Sequence, residues 1–120
     1  MERDYIGRQG EVAFFLLTGK IEPAEGWAPL AREAGHLIVG HSETGHHHVI
    51  ERPDAVSITA SPNPPEGMAI LRMIVAEPTR VIHLRGHDTH DAIPLAEGVY
   101  EIRTPVEYDH YADAVRRVAD

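Results

Sequence analysis

The sequence contains no cysteine, which excludes disulfides, thiolate metal sites and cysteine nucleophiles and leaves a reducing compartment open. Basic residues are scarce as well. Eleven Lys and Arg stand against nineteen Asp and Glu, a formal charge of -8, and that sign repels a phosphate backbone or an anionic lipid surface. No nucleic-acid partner is expected. The longest apolar run spans residues 12–17, far short of the roughly 20 residues that a membrane helix needs. Met1-Glu2-Arg3-Asp4 does not read as a basic leader, so no membrane association is expected. Absent too are a phosphate-binding glycine loop, a dinucleotide glycine pattern, a Ser-His-Asp order and an HExxH helix. Any catalysis would therefore rest on a bound metal.

The 120 residues, 42% of them hydrophobic and 25% charged, suffice for one domain with its own core, residues 1–120, and argue against disorder or a coiled coil. Apolar segments are short, rich in Val and Ile, and broken by Gly and Pro, a pattern that suits strands. Strands are expected at 11–18, 36–42, 46–52, 55–60, 68–76, 79–85 and 99–104. We read a mainly β fold, a small cupin-like barrel or sandwich of about seven strands with a short C-terminal helix. That helix follows from Asp109 as N-cap and from Tyr111, Val115 and Val118 at helical spacing. Residues 20–35 carry Pro23, Gly26 and Pro29 and read as a loop with at most one helical turn at 30–34. The proline-rich stretch 61–67 lacks the donors a sheet ladder requires and reads as a second loop.

Nine residues are histidine, and seven of them fall between His41 and His90. The run Gly40-His41-Ser42-Glu43-Thr44-Gly45-His46-His47-His48 lies between two apolar segments, and Thr44-Gly45 can form a two-residue hairpin turn. That turn sets Glu43 opposite His46, Ser42 opposite His47 and His41 opposite His48. Alternation also groups His41 with Glu43 and His46 with His48. These four side chains then share one face, continued by the apolar Leu37, Val39 and Ile50 towards the core. His47 points the other way, as a surface residue or a partner of Glu51, and a slip of one residue would exchange the two faces.

Three imidazoles and a carboxylate form a donor set for a transition metal such as Zn, Fe, Mn, Ni or Cu rather than for Mg or Ca. A second cluster follows in Val81-Ile82-His83-Leu84-Arg85-Gly86-His87-Asp88-Thr89-His90-Asp91. His83 and His90 are further candidate ligands, and the carboxylates there could orient bound imidazoles. His87, Asp88, Thr89 and Asp91 also read as ordinary turn residues, and His36 and His110 as structural or surface ones. The candidate metal ligands are thus His41, Glu43, His46, His48, His83 and His90.

The run His41-x-Glu43-Thr44-Gly45-His46-x-His48, followed by Ile93-Pro94-Leu95, Gly98-x-Tyr100 and Glu107-Tyr108, resembles a family of small uncharacterised bacterial and phage proteins with an HxExTGHxH hairpin motif. The resemblance covers about 75 residues. It places His41, Glu43, His46, His48 and His90 on motif positions, with His83 after a longer loop, and it implies no activity. Gly40, His46, His48 and Glu51 are more loosely similar to the first cupin motif, in which two His and a Glu on a β-barrel hold a metal.

Two functional classes follow. In the first the chain is a metal-binding domain, possibly a metal-dependent enzyme, whose ion activates water or binds a small-molecule ligand and needs an open coordination position. The alternative is a phage virion accessory or capsid-decorating subunit, or another structural protein, with a closed metal site or none. A homo-oligomer or virion subunits would be its partners, and its location the cytoplasm or a virion. A third reading takes the nine imidazoles as a pH switch, because protonating all of them moves the formal charge from -8 to about +1.

Overall fold

Period-two alternation sets the architecture. Along β2 (Val12–Thr18) Val12, Phe14 and Leu16 turn to the core, and along β7 (Met68–Val75) Leu71, Met73 and Val75 do the same. The computed structural model describes residues 1–41, 46–84 and 91–106. The expected Thr44-Gly45 turn, the loop from Arg85 to His90 and the C-terminal helix lie outside these residues, as do Glu43 and His90.

Among the described residues there are ten strands. The remaining eight are β1 (Glu2–Gln9), β3 (Ala28–Pro29), β4 (Ile38–Gly40), β5 (His48–Ile50), β6 (Val56–Ala60), β8 (Thr79–His83), β9 (Ile93–Leu95) and β10 (Gly98–Pro105). They form a six-stranded sheet in the order β1-β2-β10-β7-β6-β3 and a four-stranded sheet in the order β4-β5-β8-β9. All pairings are antiparallel. No closed barrel forms among the described residues; two sheets share one core instead. Val12, Phe14, Met73 and Ile102 contribute from the larger sheet, and Val39, Ile50, Val81 and Leu95 from the smaller.

The fold is mainly β, as expected, but three strands escape the alternation reading. β1 is mostly polar and exposed because it is the edge of the larger sheet, where one face and one flank meet water. It pairs with β2 through a two-residue Gly10-Glu11 hairpin, with Gly10 at φ 56°. β3 lies inside the expected 20–35 loop and pairs with β6. In place of a helical turn at 30–34, that loop carries a tight turn at Ala34-Gly35, both with positive φ, closed by reciprocal bonds between the backbones of Glu33 and His36 at 2.9 Å. β9 is three residues long, and Pro94 at its centre hides it from a strand pattern.

The outer face of the larger sheet holds a charge cluster. Glu101 on β10 is buried and accepts from Arg3 Nε at 2.6 Å and Arg103 Nε at 2.7 Å. Burial pushes its carboxyl up, but the bonds and charges of Arg3 and Arg103 outweigh this and hold it below the ordinary carboxylate range. The depressed value means that the cluster stabilises the fold fully above the unfolded carboxyl pKa of about 4.3 and less as pH falls below it. In urea titrations Glu101→Gln is expected to lower stability at neutral pH and to flatten its decline between about pH 5 and about pH 3.

Gly40, the last residue of β4, has no room for a side chain. A Cβ there would collide with Val12 Cγ2 and come within 3.0 Å of the His48 ring. Gly40→Ala is expected to cost about 1–3 kcal/mol by overpacking, read as a lower denaturant midpoint at unchanged slope.

Candidate functional site

β5 and β8 are neighbours in the smaller sheet, and their register places His48 directly opposite His83. Directly opposed residues share a face, so the two imidazoles meet, with ring centres 4.9 Å apart and planes inclined by 37°. His46, two residues before His48, stands edge-on to His83 with ring centres 5.8 Å apart. Three of the expected ligands therefore converge across one strand pair. The hydrogen bond from Leu84 N to His47 O at 2.7 Å extends this pairing past the start of β5 and the end of β8.

The anchor is a residue that sequence reasoning missed. Gln9, at the end of β1, is 1% exposed, and its Nε2 donates to Val81 O at 2.9 Å and to Asp91 O at 3.0 Å. Both carbonyls can only accept, so both amide protons are used and the amide orientation is fixed. Gln9 Oε1 therefore faces His48 Nδ1 at 2.9 Å as an acceptor, and Nδ1 must carry a proton. In the neutral ring the lone pair is then at Nε2, the tautomer that binds a metal or takes a proton through Nε2. Nothing in a lone glutamine between Arg8 and Gly10 signals this role.

His41 stands apart from the other three. The register pairs Gly40 with His48 and Ile38 with Val49, with an irregularity between the two pairs, instead of the expected pairing of His41 with His48. The displaced His41 donates from Nε2 to Glu33 Oε2 at 2.7 Å in an exposed pair, and its ring meets that of His47 at 5.2 Å. The tight turn at Ala34-Gly35 is what brings Glu33 into reach. Glu51, offered as a partner for His47, pairs with Arg80 on the neighbouring strand instead. His36 serves structurally, closing the turn with Glu33 through its backbone.

Among the described residues no group of three or more His, Asp or Glu side chains is placed to hold a metal ion as it stands. Two imidazoles on one tetrahedral ion, with metal–nitrogen distances of about 2.0–2.1 Å, hold their ring centres about 5 Å apart. The spacings at His83 are of that order.

Residues 8–105 match the family described as a domain of unknown function, DUF8820. The chain belongs to that family. No curated protein and no solved structure matches it. The match begins one residue before Gln9 and ends with β10, so the Gln9–His48 bond and His46, His48 and His83 all fall inside the DUF8820 domain. Among the described residues no helix is long and apolar enough to cross a membrane.

The buried amide carries a prediction of its own. Gln9→Leu strips partners from two carbonyls and from the Nδ1 proton of His48 at a buried position, and should cost about 1–3 kcal/mol or more. Long-range ¹H–¹⁵N spectra should show the Nδ1–H tautomer of His48 in the parent chain and a shift towards Nε2–H in the variant.

Proposed function

We propose that this DUF8820 domain is a metal-binding β-sandwich whose transition-metal site is built on the imidazoles of His46, His48 and His83. Glu43 and His90, which flank this face in the sequence, are the further donors in the proposal, and His41 is left out because it pairs with Glu33 and His47. The observation that carries the reading is the Gln9–His48 bond. A buried acceptor on Nδ1 fixes ring orientation and tautomer, the role that such partners play for metal-bound imidazoles, and here it acts on a ring that faces a second imidazole at 4.9 Å. The donor set is nitrogen and oxygen without sulfur, which suits Zn, Fe, Mn or Ni.

The cupin-like likeness belongs to this proposal and to a sandwich form of it, with the site at one end of the central β5–β8 strand pair of the smaller sheet. A site with an open position would bind a small molecule or activate water. The second reading, a structural subunit of an oligomer or a virion, draws support from β1, the edge strand of the larger sheet, on which Tyr5 and Ile6 are exposed.

Elemental analysis of untagged protein, purified without chelator, tests the proposal. About one equivalent of a transition metal is expected in the parent chain. His48→Ala and His83→Ala should each lose it together with thermal stability, and His41→Ala and His47→Ala should keep it. Absence of metal from the parent chain, or equal loss in all four variants, overturns the site. In the cobalt-substituted protein a change of the visible spectrum on adding azide would mark an open coordination position and favour the first reading, whereas an unchanged spectrum would favour the structural one.

A further inference from the structure

Arg72, at the centre of β7, is 8% exposed on the outer face of the larger sheet. A guanidinium stays charged at any pH a protein meets, so one this deep is expected to have a carboxylate partner. The residue directly opposite is Glu101, but that carboxylate is held by Arg3 and Arg103. Arg72 has no ion pair among the described residues. Its Nη1 donates to the backbone carbonyl of Glu22, its Cζ lies 4.9 Å from the centre of the Trp27 ring, and its Nε is buried with no acceptor. The cluster thus has three guanidinium charges against one buried carboxylate, within a chain of formal charge -8.

Arg72 also lines a cavity of about 270 Å³. Ile21, Pro23, Ile74 and Val99 make most of its wall apolar, and Ser57 and Thr59 from β6 bring hydroxyl groups. Thr59 is the cross-strand neighbour of Arg72, and Ser57 that of Ile74, so the hydroxyls and the guanidinium belong to adjacent positions of one sheet face. Ile74 is a large apolar side chain left 53% exposed at this cavity. Glu22 contributes its backbone carbonyl to Arg72, while its side chain is exposed.

We propose that this cavity binds a small aliphatic carboxylate, with the carboxyl group on Arg72 and its short apolar chain against Ile21, Ile74 and Val99. An incoming carboxylate meets the part of the guanidinium that lines the cavity and supplies the negative charge that the cluster lacks. Its planar pair of oxygens matches the guanidinium edge better than a tetrahedral anion does. The apolar wall accounts for the chain, because burying methylene groups there adds to affinity and a bare anion gains nothing from it. Trp27, stacked on the guanidinium, holds its plane in position. The site uses none of the histidines, so it stands or falls independently of the metal proposal.

The test is a ¹H–¹⁵N titration of the full chain with hexanoate, hexanamide and inorganic phosphate, following the Arg72 Nε–H signal and the Thr59 and Ile74 amides. Hexanoate should shift all three saturably, with a dissociation constant on the order of 1 mM. Hexanamide should bind at least about tenfold more weakly, because the charge-assisted bond is lost, and phosphate should not saturate the site. Arg72→Met should abolish the response. Should that variant not fold, Ser57→Phe fills the cavity from an exposed position, keeps the arginine and should equally abolish it. The proposal is overturned by equal affinity for hexanamide, by saturation with phosphate as tight as with hexanoate, by no saturable shift with hexanoate, or by unchanged binding in Ser57→Phe.

Discussion

Gln9 is the point at which the two sheets become one structure. Its backbone ends β1 of the larger sheet, and its side-chain amide bonds β8, the backbone beside β9 and the imidazole on β5. A buried primary amide has two protons to donate and must find acceptors for both, and here the acceptors are one carbonyl of the smaller sheet and one just before its strand β9. The amide therefore works as a ruler between the sheets. Its third bond passes that constraint to His48, so the inter-sheet geometry and the protonation pattern of the histidine face rest on the same residue.

The histidine face is consequently part of the core rather than a loop decoration. His48 is 8% exposed, and Gly40 lies against both its ring and Val12. Gly40 is the opposing residue because a larger one would push into Val12, which is 2% exposed and stiff at χ1. The sequence run reads as a histidine cluster, but the ring that matters most is placed by a glycine and a glutamine without any metal-ligand signature of their own.

How much of this was legible follows from the same physics. Strands with one face in the core announce themselves by alternation, and β2, β6, β7 and β10 lie within a residue of where that pattern puts them. The grouping of His46 with His48, and of His47 with neither, also follows from period two and is seen in the ring contacts. The placement of His41 does not, because the register sets Gly40 rather than His41 opposite His48, and period two turns one residue of slip into a change of face. β1 was illegible for another reason: an edge strand needs no apolar face, so Glu2 to Ile6 carry none of the usual signal. Arg72 sat in a strand pattern as an ordinary outward residue, and nothing local distinguishes it from Arg80, which does find its glutamate.

The contrast between those two arginines shows how the outer face differs from a merely charged surface. Arg80 and Glu51 are an exposed cross-strand pair of the kind that contributes little, since both ends would be well solvated apart. Arg72 is different because burial removes the solvent alternative. Beneath residues 21–27 and between β6 and β10, its Nε is buried and has no hydrogen-bond partner among the described residues. A donor left in that state costs about 1–3 kcal/mol, and a sequence free to vary could remove the cost with Met or Leu at 72. A guanidinium held there, over Trp27 and beside a cavity with apolar walls, is completed by the proposed partner that arrives from solution and carries its own negative charge.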